Sequence, residues 1–175
     1  MEKEIYVRRA GKKDLSAILA LRRELAQLHH EKRPDLFRTP KKMRFFFRMK
    51  KLLLEETPPV IVAANRENKV LGYLWYSVYV YRNHDTMRDI KGIHIEDICV
   101  TKECRRSHIG EKLYQWVKEY GQEQHCEIMT LDVWAANREA VLFYEACGFT
   151  PQILRMEQKI EHSKSRISVG DLDPH

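Results

Sequence analysis

The chain has 175 residues, 43% hydrophobic and 32% charged, which suits one domain with a real core and a well-solvated surface. Seven glycines and six prolines exclude a linker or low-complexity character. The net charge of +6 comes without a block of five like charges, a balance that attracts a polyanionic cofactor more readily than it marks a nucleic-acid binder.

In chain order, Glu4–Ala10 has a short β-like apolar pattern. Asp14 then stands as an N-cap ahead of Leu15, Ile18, Leu21, Leu25 and Leu28 at helical spacing. Arg33, Pro34 and Asp35 break that helix. A second helix is predicted from Pro40 to Glu56, with Lys41, Lys42, Arg44, Arg48, Lys50 and Lys51 on a solvated basic face; a nucleic-acid patch is the sharper but lesser reading. Val60–Asn65 is a buried-strand candidate. Val70–Tyr81 reads as a long strand with Tyr73, Trp75, Ser77, Tyr79 and Tyr81 on one face and Leu74, Tyr76, Val78 and Val80 on the other.

After a polar loop from Arg82 to Lys91, the pattern predicts a strand over Ile93–Thr101, a helix over Ile109–Gln124 and a strand over Ile128–Trp134. Asn137 caps a helix that ends at Cys147, with Gly148 where a left-handed C-terminal cap belongs. Ile153–Ile160 is a predicted last strand. The expected fold is therefore α/β: a mixed sheet with an antiparallel part, a parallel pair joined by a right-handed crossover, and helices on both faces. Residues 1–160 form one domain in this reading, and 161–175 a polar tail.

No apolar run is long enough for a membrane span; the longest aliphatic one is Val60 to Ala64. A cytoplasmic protein with no membrane association is expected. Cys99, Cys104, Cys126 and Cys147 fall singly, without a CxxC pair, which favours reduced thiols over a disulfide or zinc framework. The adjacent His29 and His30 lack the i, i+4 relation of a helical metal pair and are expected at a solvated helix end. No metal site is expected.

Chemistry concentrates between His94 and Phe149. A strand ending at Val100 feeds a short loop, Arg105, Arg106, Ser107, His108, Ile109 and Gly110, into a helix N-terminus. The first amides of that helix lack internal partners and sit at the positive end of the helix dipole, so the turn is suited to an anion. The run from Asn137 through Ala140 and Tyr144 to Gly148 and Phe149 follows.

Together these two runs resemble the GNAT superfamily of N-acetyltransferases. Its phosphate loop, Arg/Gln-x-x-Gly-x-Gly/Ala, is matched by Arg105 to Gly110, and its later signature by Asn137, Ala140, Tyr144, Gly148 and Phe149. The first glycine of the loop is replaced by His108. The resemblance implies a splayed pair of central parallel strands with acetyl-CoA between them. The backbone of Ile98, Cys99 and Val100 would lie along the pantetheine, the amides of Arg106 to Gly110 on the pyrophosphate, and Asn137 beside the pantetheine. Tyr144 would be both a cofactor contact and the general acid.

Glu96 is the candidate general base, working through a water, because it lies two residues before Ile98 on the same strand face and matches a glutamate of the diamine acetyltransferase branch. Asp97 is the rival, although simple alternation turns it to the opposite face. The implied acceptor is a primary amine, with a polyamine-like molecule favoured over a peptide amine or an aminoglycoside. A non-catalytic acetyl-CoA-binding module is the reading from another class, and a homodimer is a family habit. Acceptor choice is expected to lie in His29–Met43, the aromatic face of Tyr73–Tyr81 and the Arg82–Lys91 loop. Glu31, Asp35, Asp85 and Asp89 are the candidate acidic contacts there.

Overall fold

The computed structural model describes residues 4–39, 44–54, 59–86 and 88–160. Strand β1 (Ile5–Arg9) leads through a 3-10 turn at Lys12–Asp14 into helix α1 (Leu15–Lys32), and helix α2 (Arg44–Leu52) follows. Strands β2 (Val60–Asn65), β3 (Val70–Tyr81) and β4 (Ile90–Val100) come next, then helix α3 (Ile109–Glu123), strand β5 (Ile128–Leu131) and helix α4 (Arg138–Ala146). The five strands lie in sequence order. Pairing is antiparallel from β1 to β4 and parallel between β4 and β5, with α3 as the crossover.

The alternation read from β3 decides the two layers. Tyr73 and Trp75 face a core made with Ile18 and Leu21 of α1 and Met49 of α2, whereas Leu74 and Tyr76 face Ile109, Leu113 and Val117 of α3. Helices thus cover both faces, as expected for this mixed α/β sheet. Arg48 of α2 lies over the Trp75 ring, 4.4 Å from its centroid. The basic helix is therefore anchored on the sheet through Met49 and an Arg–aromatic contact. Its predicted ends, at 40–43 and 55–56, fall outside the described residues; in between, the helix stops at Leu52 and a turn takes Leu53 and Leu54. The 161–175 tail also lies outside the described residues.

Two strand predictions need correction. β5 stops at Leu131, because Asp132–Trp134 leave the ladder. Ile153–Ile160 forms no strand: the segment has no ladder partner among the described residues and stands exposed. Asp14 occupies the N-cap position but does not cap α1 with its side chain. Its buried carboxylate accepts the Gly11 N–H at 2.8 Å and two Arg8 nitrogens at 2.7 and 2.9 Å, tying β1 to the start of α1.

Burial alone would raise the Asp14 carboxyl, but the hydrogen bonds from Arg8 and Gly11 outweigh it and hold the group below the usual carboxylate range. A carboxyl with a depressed folded-state value contributes stability above its unfolded value and loses it as pH falls through the folded one. Asp14→Ala is expected to destabilise the fold by about 2 kcal/mol at neutral pH. The gap between variant and parent should narrow on acidification, as read by urea denaturation at several pH values.

Candidate active site

The site begins where two strands part. β4 pairs with β5 from Gly92↔Ile128 to Ile95↔Leu131, but with β3 it continues to Val100↔Gly72. From Glu96 to Val100 the β5 side of β4 therefore has no strand against it among the described residues. Thr101 N–H donates to Leu71 O on β3, at 2.9 Å. Because alternate residues of a strand aim their N–H groups at the same edge, the N–H groups of Ile98 and Val100 point the other way, into the gap. A cleft of about 1020 Å³ opens there, walled by Ile98–Val100 on one side and Asp132–Trp134 on the other.

A β-bulge sits at the head of the gap. Trp75 pairs with Asp97 and Tyr76 with Ile95, so Glu96 has no opposite number. The extra residue reverses the alternation: Ile93 and Ile95 pack toward α3, and so do Ile98 and Val100, whereas Cys99 packs toward α1. This corrects two expectations. Glu96 does not share a face with Ile98, and Asp97 is not turned away from Glu96; both carboxylates line the same cleft.

Their surroundings differ. Glu96 is exposed and accepts a 2.8 Å hydrogen bond from Ser77 Oγ. Asp97 is half-buried, with Arg22 Nε of α1 at 2.9 Å and the Tyr73 hydroxyl donating at 3.2 Å. Burial raises the Asp97 carboxyl further than Arg22 and Tyr73 lower it, so the net shift is upward.

Below the carboxylates the cleft reaches the α3 N-terminus. A 3-10 turn at Lys102–Cys104 leads to Arg105, and the left-handed backbone needed for the loop falls at Arg106 (φ 62°) and His108 (φ 56°). His108 thus adopts a conformation that glycine enters freely. Its Nδ1 sits 2.9 Å from Glu111 Oε2, so the imidazole is engaged with the first turn of the helix. The first amide to close a helical bond is that of Lys112, on His108 O at 3.1 Å. The amides of Ile109, Gly110 and Glu111 precede it and have no carbonyl within the helix to receive them.

Lys102, Arg105, Arg106, His108, Ile109 and Gly110 line the cleft; Ser107 does not. Gly110 has a role that spacing did not suggest. A Cβ there would lie 3.2 Å from the Phe143 ring, so the glycine admits α4 against the first turn of α3.

α4 supplies the opposite wall. Asn137 precedes it, buried, and makes no side-chain cap; it lines the cleft instead, correcting its assignment as a capping side chain. Gly148 (φ 90°) ends the helix as expected, with Phe149 N–H returning to Tyr144 O at 3.0 Å. Tyr144 faces the cleft. Burial first, then the Asp97 charge and Cys147, push its phenol well above the ordinary value, so it holds its proton.

The far end of the cleft is lined by Arg22, Leu25, Leu28, His29 and Phe37, with Phe37 edge-on to Trp134 at 5.1 Å between centroids. His29 is no solvated helix end: burial, then Arg22, lowers its imidazole. Of the acidic residues expected to meet an acceptor, Asp35 is paired with Arg33 at 2.8 Å, Glu31 with Gln27 at 2.9 Å, and Asp89 accepts the Asn83 N–H at 3.0 Å. None of Glu31, Asp35, Asp85 and Asp89 lines the cleft; the carboxylates that do include Glu96, Asp97 and Asp132. Arg22 and Phe37 carried no motif, and only the folding of α1 over β4 brings them in.

A family model described as the Acetyltransferase (GNAT) family matches residues 22–149. The chain belongs to this family. Among curated proteins, an uncharacterized N-acetyltransferase in the pepI 3' region of Lactobacillus delbrueckii subsp. lactis is 31% identical over 84 residues, 48% of this chain and 47% of that protein. The chain thus matches about half the length of that relative.

Among solved structures, a tetramutant of the BH1408 protein from Bacillus halodurans superposes with a TM-score of 0.83 at 25% identity, covering 89% of this chain and 99% of that one. The aminoglycoside N-acetyltransferase AAC(6')-Iy, in complex with CoA, gives a TM-score of 0.65 at 18% identity over 90% of this chain and 96% of its own. At that identity the likeness is one of fold.

Within this GNAT frame Cys99 is shut off from chemistry. Its Sγ is buried 3.4 Å from Leu21 O, and burial, helped by the charge of Glu24, pushes the thiol up to about 12. Cys99 is expected to resist alkylation in the native protein at neutral pH and to react once the chain is unfolded, read by peptide mass analysis.

Proposed function

We propose that this GNAT chain moves an acetyl group from acetyl-CoA directly to a primary amine of a small, polyamine-like molecule. The observation that carries the reading is the bare β4 edge, with the Ile98 and Val100 amides facing a cleft that runs on to the free amides of α3. Such an edge takes an extended amide-bearing arm as a strand would, and the helix N-terminus with Arg105 and Arg106 suits a diphosphate. Peptide amines remain the rival acceptor class within the same chemistry.

Acetyl-CoA supplies the acetyl group already activated as a thioester. Around it, the Val100 N–H is aimed where a carbonyl oxygen can accept it, a type of contact that lowers such barriers by about 3 kcal/mol. Asn137 lines the pantetheine side. Tyr144, held protonated by its burial, donates to the departing sulfur. Glu96 takes the proton that a cationic amine must lose, through a water, because it is solvated and bound by nothing stronger than Ser77. Asp97 is the second reading, favoured by its upward shift and by its field at Tyr144. Glu96, Asp97 and the rings of Phe37 and Trp134 give the acceptor end the acidic and aromatic character that holds a cation.

The direct test is release of the CoA thiol from acetyl-CoA with a panel of diamines, polyamines, aminoglycosides and peptides. Tight cofactor binding without turnover on any amine would identify a binding module instead. Tyr144→Phe is expected to lower kcat by about tenfold or more with acetyl-CoA affinity retained; unchanged turnover would remove the acid assignment. Glu96→Gln is expected to move the rising limb of the pH–rate profile to higher pH, because catalysis then waits on spontaneous deprotonation of the amine. If Asp97→Asn moves that limb and Glu96→Gln leaves it in place, Asp97 is the base.

A further inference from the structure

The acceptor end of the cleft is bridged by two rings. Phe37, in the stretch that follows α1, meets Trp134, which follows β5, with centroids 5.1 Å apart and planes at 85°. The rings come from segments distant in the chain and touch edge to face, a favoured geometry for an aromatic pair. A methylene lying between two rings needs about 3.5 Å to each, which takes their centroids to about 7 Å or beyond. At 5.1 Å nothing passes between them.

Phe37 is held at this contact by its own segment. The N–H groups of Leu36 and Phe37 both return to Arg33 O, at 3.0 and 2.9 Å, and His30 Nδ1 donates to Phe37 O at 2.7 Å. Arg33 is fixed in turn, 2.8 Å from Asp35 and 2.8 Å from Glu157. The His29 ring also stands against Phe37, with centroids 5.1 Å apart. Burial, then Arg22, lowers the His29 imidazole, so this ring is uncharged at neutral pH. Inside the bridge the lining changes character along the cleft: Leu25 and Leu28 of α1 are apolar, and Glu96 and Asp97 lie beyond them on β4.

We propose that the Phe37–Trp134 bridge sieves the acceptor by shape, admitting an unbranched aliphatic amine whose methylene chain lies along Leu25 and Leu28 while its nitrogen reaches Glu96 and Asp97. A fused or linked ring system, such as an aminoglycoside, and a peptide chain with side chains are too thick to enter unless the two rings separate. Each methylene that reaches Leu25 and Leu28 leaves water, so lengthening the chain strengthens binding by up to about fourfold per methylene. The inference rests on the acetyl-transfer reading above and narrows its acceptor to a slender chain.

The test is kcat/KM for CoA release with a series of linear alkylamines and diamines, an aminoglycoside and a tripeptide, on the parent, Phe37→Ala and Trp134→Ala. The parent is expected to prefer the linear amines, with values rising along the series. Either variant, opening the bridge from its own side, is expected to shift the ratio toward the aminoglycoside by about tenfold or more. A parent that acetylates the aminoglycoside as readily as the linear amines, or variants that leave the ratio in place, would overturn the sieve and leave the transfer reading standing. Acetyl-CoA bound without turnover of any amine by all three proteins would sink the transfer reading, and the sieve with it. A second readout needs no turnover: Phe37→Ala is expected to raise acrylamide quenching of tryptophan fluorescence, and a Trp134→Phe background to cancel that rise. Unchanged quenching would mean that the rings do not meet in solution, which also overturns the proposal.

Discussion

The molecule depends on a strand pair that is allowed to fail. β4 and β5 hold together for four residues and then separate, while β3 stays paired with β4 on its other side. A buried backbone edge without partners is costly, so the gap must be filled by solvent or by a molecule that offers amide-like groups of its own. Everything that belongs to the site is arranged around that need: the bulge at Glu96 begins the gap, Asn137 and Tyr144 face it from α4, and the first turn of α3 closes its lower end.

The bulge does more than bend the strand. By inserting one residue it lets β4 keep apolar contacts with α3 both before and after Glu96, yet turn two successive carboxylates toward the cleft. Without it, one of the pair would enter the apolar layer under α3, where an unpaired charge is strongly disfavoured. Asp97 is kept at the cleft floor by Arg22 and Tyr73, and Glu96 is left to solvent. Two like-charged groups of different environment in one site is a common basis for dividing binding from proton transfer.

Much of this was legible in the sequence because it is local. The apolar periods of β3, α1 and α3 and the glycine after α4 read through to the structure, and most of Arg105–Gly110, with Asn137 and Tyr144, falls along the cleft. What was not legible depends on pairing between distant segments. No residue near Glu96 signals a bulge, since the shift is set by how β3 and β4 align, and so the faces of Glu96 and Asp97 were misassigned. Arg22 enters the cleft only through the packing of α1, and although His29 and Phe37 lie in the His29–Met43 stretch singled out from the sequence, which of its residues line the cleft is set by packing. Ile153–Ile160 has the composition of a strand, but a strand exists only with a neighbour, and composition does not say whose.

The contact between Gly110 and Phe143 has a consequence for how such a site can vary. The proposed anion cradle and the proposed donor phenol come from helices separated in the chain, α3 and α4, which meet at a spot where one lacks a side chain and the other inserts a ring. Phe143 immediately precedes Tyr144, so a side chain grown at position 110 would act as a wedge, displacing the phenol relative to the first turn of α3. On the roles proposed above, cofactor capture and proton delivery would share a single mechanical joint, and drift at either position would be constrained by the other.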